Sequence, residues 1–322
     1  MKELTVTNNE SGQRLDKLLT KYLNLAGKGF IYKMIRKKNI TLNGKKCDGS
    51  EKVKEGDRIC LFLSDETIAK FSQVQIQEVK KVSLDILYED EHIMMINKPA
   101  GMLSQKAADS DESLVEYMIS YLMESGALSE ESMRAFRPSV CNRLDRNTSG
   151  IVIAGKTLGG LQAMSAVLKD RSIHKYYRCM VCGDVKETCR IRGYLKKNEA
   201  TNQVSVFREP VPDSLPIETE YIPLSGNGRY TLLQVTLITG RSHQIRAHLA
   251  SIGHPIVGDP KYGNQEINRE MKRRYGIISQ MLHAWKIIMP SNVPEPCSYL
   301  KDKSFTAPVP SQFERFMAGE KI

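Results

Sequence analysis

Positive charge is unevenly spread along this 322-residue chain, and the unevenness divides it before any element is assigned. The first 65 residues hold 14 Lys and Arg against 8 Asp and Glu, a net +6 of the formal +10. One small stretch thus carries most of the charge, which marks a basic head on a longer, nearly neutral body. Such a head suits a polyanion, most often RNA or DNA, although charge alone fits a merely soluble basic protein equally well. A hydrophobic content of 41% is enough for a packed core.

Spacing within the head predicts two helices and a hairpin. Arg14-Leu15-Asp16-Lys17-Leu18-Leu19 opens the first helix, with Leu15, Leu18, Leu19 and Tyr22 on one face. The second follows Gly29, with Phe30, Ile31, Met34 and Ile35 inward and Lys33, Arg36, Lys37 and Lys38 outward. Residues 40–45 read as a strand entering an Asn43-Gly44 turn, and Arg58 to Leu63 as a closing strand after the Glu55-Gly56-Asp57 turn. This order resembles the S4 RNA-binding domain, on Arg14-Leu15-Asp16, Ile35-Arg36-Lys37-Lys38, Leu42-Asn43-Gly44 and Glu55-Gly56-Asp57. The resemblance implies that residues 1–63 form a small αβ RNA-binding domain, with Arg14, Lys33, Arg36, Lys37 and Lys38 as contacts. Charge runs are more often just a solvated face; the clustering of these cations on one helix face favours RNA.

Residues 64–83, polar, without a clean period and ending in Lys80-Lys81, read as a linker. The body, 84–322, opens with strand, turn and strand through Ile86-Leu87-Tyr88, Glu89-Asp90-Glu91 and residues 92–97. Lys98-Pro99-Ala100-Gly101 stops it. Leu114 to Glu124 reads as an amphipathic helix, and 151–154, 176–181, 219–223 and 230–237 as strands. No stretch approaches a membrane-spanning apolar run, and Met1 to Asn9 lack the basic-then-apolar order of a signal peptide. The seven cysteines are odd in number and irregularly spaced, as expected of reduced thiols in a cytoplasmic protein. No membrane partner is expected. His243 and His248 lie five residues apart, a poor spacing for one metal face, and Cys179 and Cys182 point to opposite sides of a strand. No metal is expected either.

The chemistry concentrates at Cys141-Asn142-Arg143-Leu144-Asp145-Arg146-Asn147-Thr148-Ser149-Gly150, a polar loop running into the β-branched stretch Ile151-Val152-Ile153-Ala154. An acid flanked by two arginines would be held ionised by the neighbouring charge, as a nucleophilic or base-acting aspartate requires. Taken alone, Asp145 would more often be a cap or an ion-pair partner. Arg143-Leu144-Asp145-x-x-Thr148-Ser149-Gly150 is, however, similar to the catalytic motif of the RluA-type pseudouridine synthases. Further family segments follow in order. They are Tyr88-Glu89-Asp90 with Asn97 to Gly101, Lys175 to Gly183, Thr239 to Leu249, Gly253 to Gly263, and Leu282-His283-Ala284-Trp285.

That resemblance implies an α+β catalytic domain with a mixed, largely antiparallel sheet, helices outside and the site in a central cleft. It implies isomerisation of specific uridines to pseudouridine in structured RNA, leaning towards large-subunit ribosomal RNA, with no cofactor; a monomer is expected. Asp145 matches the catalytic aspartate. Tyr177 matches the tyrosine that stacks on the target base and is a candidate acceptor for its C5 proton. Arg246 matches the arginine that pairs with the aspartate, and Arg143 the side chain that fills the gap left by the flipped nucleotide. A base inside a helix must be extruded at a cost of a few kcal/mol, and an aromatic platform returns about 1–3 kcal/mol by stacking. Without the resemblance, Tyr177 would read as a core tyrosine and Arg246 as a surface arginine. His243 and His248 read as structural or RNA-contacting.

Two departures from the family pattern stand out. Asn142 occupies the position before Arg143 where His is common, and Met102-Leu103-Ser104-Gln105-Lys106 replaces Val-Val-His-Pro after Gly101. Two other classes compete. One is a non-catalytic RNA-binding or ribosome-assembly factor that keeps the fold. The other is a hydrolase using Ser149 or Ser242 with His243, which lacks a Gly-x-Ser-x-Gly elbow.

Overall fold

The computed structural model describes every residue except 8, 74–76, 78, 80 and 81. Lys80-Lys81, expected to end the linker, lies outside the described residues. In the head, the apolar stripe at helical spacing does what it should. After β1 (Lys2–Thr5), helix α1 (Leu15–Tyr22) buries Leu15, Leu18, Leu19 and Tyr22, and α2 (Lys28–Arg36) buries Ile31, Met34 and Ile35. A sheet of β2 (Ile40–Leu42), β3 (Lys45–Lys46) and β4 (Arg58–Leu61) with β1, in the order β1-β4-β2-β3, closes against them. Asn43 and Gly44, at φ 52° and 72°, form the two-residue hairpin turn that needs positive φ at both positions.

The segment expected as a linker is in part structured. Ser64 accepts a hydrogen bond from the Thr67 amide and starts α3 (Asp65–Phe71). Ile68 of α3 joins the core of the head, and the Phe71 ring lies 4.6 Å from that of Phe30. The helix is hidden in the sequence because a single buried residue gives no readable period.

In the body, β5 (Ile86–Glu89), β6 (Ile93–Lys98), α4 (Leu114–Glu124), α5 (Glu130–Ala135) and β7 (Ser139–Val140) precede the loop that carries Asp145. After it come β8 (Ser149–Gly155), α6 (Leu158–Lys169), β9 (His174–Cys182), β10 (Cys189–Asn198), β11 (Gln203–Phe207), β12 (Leu215–Gly226) and β13 (Tyr230–Leu237). Then follow α7 (Gln244–Ser251), α8 (Gln265–Tyr275), β14 (Leu282–Ile288), β15 (Ser304–Thr306) and α9 (Ser311–Glu320). Nine strands run in the order β11-β10-β12-β13-β9-β14-β8-β6-β5, with β15 added to β14 and β7 to β8. Every pairing is antiparallel except β8 with β14, so the expected mixed, largely antiparallel sheet is present.

Both faces of the sheet centre are covered. Ile96, Val152, Cys179 and Val235 pack with Leu114, Met118 and Leu122 of α4 and with Ile245 and Leu249 of α7. Ile93, Met95, Ile151 and Ile153 pack on the other side with Met164 and Val167 of α6. A strand buried on both faces must be apolar throughout, which explains why 151–154 show no alternation. β10 and β11 lie at the opposite margin, where Arg190, Arg192, Lys196 and Lys197 interrupt the pattern and no strand is legible in the sequence.

The parallel junction of β8 and β14 fixes the end of the active loop. Gly150 sits at φ +112°, and a Cβ there would lie 2.2 Å from the Ala284 carbonyl oxygen. Only glycine permits both that backbone shape and that approach.

Candidate active site

Asp145 lies on the loop between β7 and β8, and that loop is tied down at several points. Ser104 Oγ accepts from the Leu144 amide and donates to the Leu144 carbonyl, both at 3.0 Å. Asn142 Nδ2 donates to the Ile151 carbonyl, and its Oδ1 accepts from the Ile153 amide. The two positions where the chain departs from the family pattern thus both hold the loop through backbone contacts, and Asn142 serves local packing.

Lys98 is fully buried and donates to the carbonyls of Pro99, Met102 and Arg146 at 2.9, 2.8 and 3.0 Å. Burial pulls its ammonium down to about 7, against the opposing pull of Asp145. Three acceptors need three N–H donors, which the ammonium has and the neutral amine lacks, so the geometry fits the charged form. Lys98 therefore staples the 98–102 turn to the loop of Asp145.

The cation that meets Asp145 comes from far along the chain. Arg246 Nη1 donates to Asp145 Oδ2 at 2.8 Å. The rest of the guanidinium is forked onto Asp259, with Nε at 2.7 Å from Oδ2 and Nη2 at 2.9 Å from Oδ1. Asp259 also accepts from the amides of Lys261 and Tyr262. Burial works against the Arg246 charge, but Asp259 and then Asp145 outweigh it and hold its pKa above the usual arginine value. The side chains of Arg246 and Asp259 are 6% and 0% exposed, while that of Asp145 is 26% exposed. The inner pair is locked and the outer carboxylate is reachable, as a reacting group must be. The expectation that Arg143 and Arg146 hold Asp145 is corrected: among the described residues its ion pair is with Arg246, and both flanking arginines are exposed.

Tyr177, on β9 opposite Ala284 of β14 and Val235 of β13, lies on the α4–α7 face, and the Asp145 charge acts on it. Burial first, and Asp145 second, push its phenol well above the ordinary tyrosine value. The hydroxyl is therefore a neutral group in the free protein.

Sequence reasoning leaves Asp259, Lys98, Tyr262 and the placement of His243 unassigned. His243 Nε2 lies 3.9 Å from Asp145 Oδ2, and its Nδ1 is 2.9 Å from the Tyr262 hydroxyl. The Tyr262 ring lies under the Arg246 guanidinium, 5.2 Å from centroid to Cζ. His248 is buried against Thr219 at 3.0 Å and is structural. Ser149 pairs with His283 rather than His243, at 2.8 Å. Both are buried, and His283 Nε2 faces the Ala307 carbonyl, so the pair ties β8 to β14 and offers no nucleophile.

In the head, Lys33, Arg36, Lys37 and Lys38 all stand exposed along α2 and its end. Arg14 differs: its Nε and Nη2 fork onto Asp16, each at 3.0 Å.

A covered, mixed sheet carrying a guanidinium-paired aspartate on a pinned loop, joined to a basic αβ head, defines an α+β protein with a candidate carboxylate site. Comparison with known proteins specifies which. The sequence model described as RNA pseudouridylate synthase matches residues 92–251, and the S4 domain model matches residues 13–59. Residues 92–251 thus resemble the RNA pseudouridylate synthases and residues 13–59 an S4 domain, and with relatives named pseudouridine synthases the chain is an isomerase acting on RNA. It is 29% identical over 327 residues to the ribosomal large subunit pseudouridine synthase C of Vibrio parahaemolyticus, covering 98% of this chain and 95% of that one. It is 28% identical over 298 residues to the Escherichia coli protein of the same name, covering 88% and 87%. Among solved structures, human RNA pseudouridylate synthase domain containing 4 shares the fold, with a TM-score of 0.58 and 19% identity, over 73% of this chain and 92% of that one.

Proposed function

We propose that the chain modifies uridines of large-subunit ribosomal RNA in the cytoplasm, with Asp145 as the reacting carboxylate, Arg246 as its partner and Tyr177 as the platform for the everted base. The observation that carries this is the 2.8 Å contact between Arg246 Nη1 and Asp145 Oδ2, made by residues 101 apart in sequence. The names of its relatives, ribosomal large subunit pseudouridine synthases, support the choice of RNA.

In the reaction the N1–C1′ bond breaks, the uracil turns, C5–C1′ forms, C5 loses its proton and N1 gains one. No atom is gained or lost overall. Asp145 serves this either as a nucleophile or as a base at the ribose. The free oxygen of its partly exposed carboxylate is the one available, because Oδ2 is engaged by Arg246. Arg143 fills the helical gap left by the base in this reading, which its exposure beside Leu144 supports. The direct test is release of tritium from [5-³H]uridine-labelled large-subunit RNA by the wild-type protein. Turnover on transfer RNA alone would overturn the choice of substrate. Binding without release would favour the non-catalytic reading.

The head acts as the affinity module. Replacing Lys33, Arg36, Lys37 and Lys38 together by Gln should weaken RNA binding and lower the slope of log K against log salt by about 3–4, roughly 0.7–0.9 for each phosphate no longer neutralised. Titrations at several salt concentrations read this; an unchanged slope would remove these side chains from the interface.

A further inference from the structure

Tyr262 decides which nitrogen of His243 carries a hydrogen. Its hydroxyl oxygen accepts the Val204 amide at 2.9 Å. Its single hydrogen is then free for the other partner, His243 Nδ1, also at 2.9 Å. The arrangement that spends this hydrogen makes Nδ1 the acceptor, which puts the hydrogen of a neutral ring on Nε2. Nε2 is the atom that faces Asp145 Oδ2, at 3.9 Å, beyond hydrogen-bond reach. His243 also sits at φ +53°, as the residue preceding α7, and its ring meets that of Tyr262 edge-on. The donor is thus aimed at Asp145 without bonding to it.

We propose that His243 is a further catalytic residue: an imidazole locked by Tyr262 as the Nε2–H form, whose N–H donates to a uracil carbonyl oxygen while the glycosidic bond is open. This rests on the reading of Asp145 as the reacting carboxylate. Once N1–C1′ is broken, negative charge spreads onto the uracil oxygens, and a fixed donor stabilises it more than it stabilises the ground state. The donor gives up no proton, so the balance of the reaction is unchanged.

A neutral ring is what the site requires. An imidazolium would pair with Asp145 and cover the carboxylate. The groups that act on His243 are Asp145, Arg246, Lys261 and Asp259, with Tyr262 in direct contact. Burial holds its pKa below the ordinary histidine value; Asp145, next in size, opposes this, while Arg246 and Lys261 add to the lowering.

The test uses the full chain and compares His243→Gln with His243→Met. The two side chains have the same length and share the strain of positive φ, but only Gln carries an N–H near the Nε2 position. The Met variant should lose about 10²-fold in kcat, as one oxyanion donor is worth, with KM changed less than about threefold. The Gln variant should recover at least tenfold of that loss. Tyr262→Phe removes the hydrogen bond that favours the neutral ring, so its kcat should fall between pH 8 and pH 6 more steeply than that of the wild type.

Equal kcat for Gln and Met, or wild-type kcat for Met, overturns the proposal. If the Met variant does not fold, the Tyr262→Phe profile decides, and a profile parallel to the wild type overturns it. Turnover by Asp145→Asn would instead reject the carboxylate reading itself. An inert Asp145→Asn beside a fully active Met variant would reject His243 alone.

Discussion

Asp145→Asn should abolish turnover, lowering tritium release by about 10⁴-fold or more, the scale seen when a reacting side chain is removed. The fold should survive. Arg246 keeps its two-pronged grip on Asp259, and the Asn oxygen can still accept from Nη1. RNA binding should be unchanged or slightly tighter, because the substitution removes a negative charge from a site that receives a polyanion. Tritium release and RNA titration on the same preparation separate the two effects. Appreciable release by the variant would end the assignment of Asp145.

Asp259→Asn should be nearly as damaging by a different route. Asp259 is fully buried, holds Arg246 by two hydrogen bonds and accepts two backbone amides. Its Asn replacement leaves a buried guanidinium with half its counter-charge and turns an amide N–H towards other donors. Breaking such a pair costs about 3–5 kcal/mol, which a shift of the urea midpoint would read. The guanidinium, released from its inner partner, is expected to swing its fork onto Asp145 and occupy both carboxylate oxygens. A displacement of about 1 Å at a reacting group costs roughly 10²-fold in rate. We therefore expect kcat to fall by that order even at temperatures where the variant is folded. Wild-type kcat in a destabilised but folded Asp259→Asn protein would mean that Asp259 supports the fold alone.

Periodicity is readable wherever one face of an element is buried. The four apolar residues of α1 are its buried face, and the bounds of α4 and β13 follow the apolar pattern to the residue. It fails where an element buries one side chain, as α3 does with Ile68, or where cations break the alternation, as on β10. For α3 a local signal is present: Ser64 followed by Asp65 and Glu66 is a capped, acidic first turn. Nothing local marks Asp259, whose neighbours read as a turn.

What the chain determined by itself was local: the basic head, the helix faces, the buried strand behind the Asp145 loop, and the motifs that place it beside a known family. The choice of partners belonged to the tertiary structure. Arg143 and Arg146 are closest to Asp145 along the chain, yet the guanidinium that meets it comes from α7. Only packing decides that, because a buried ion pair needs both desolvation and a second acceptor for its remaining donors, and Asp259 supplies the latter. Likewise the His243 ring is held by a hydroxyl whose other partner is an amide 58 residues from it, a relation that sequence spacing does not express.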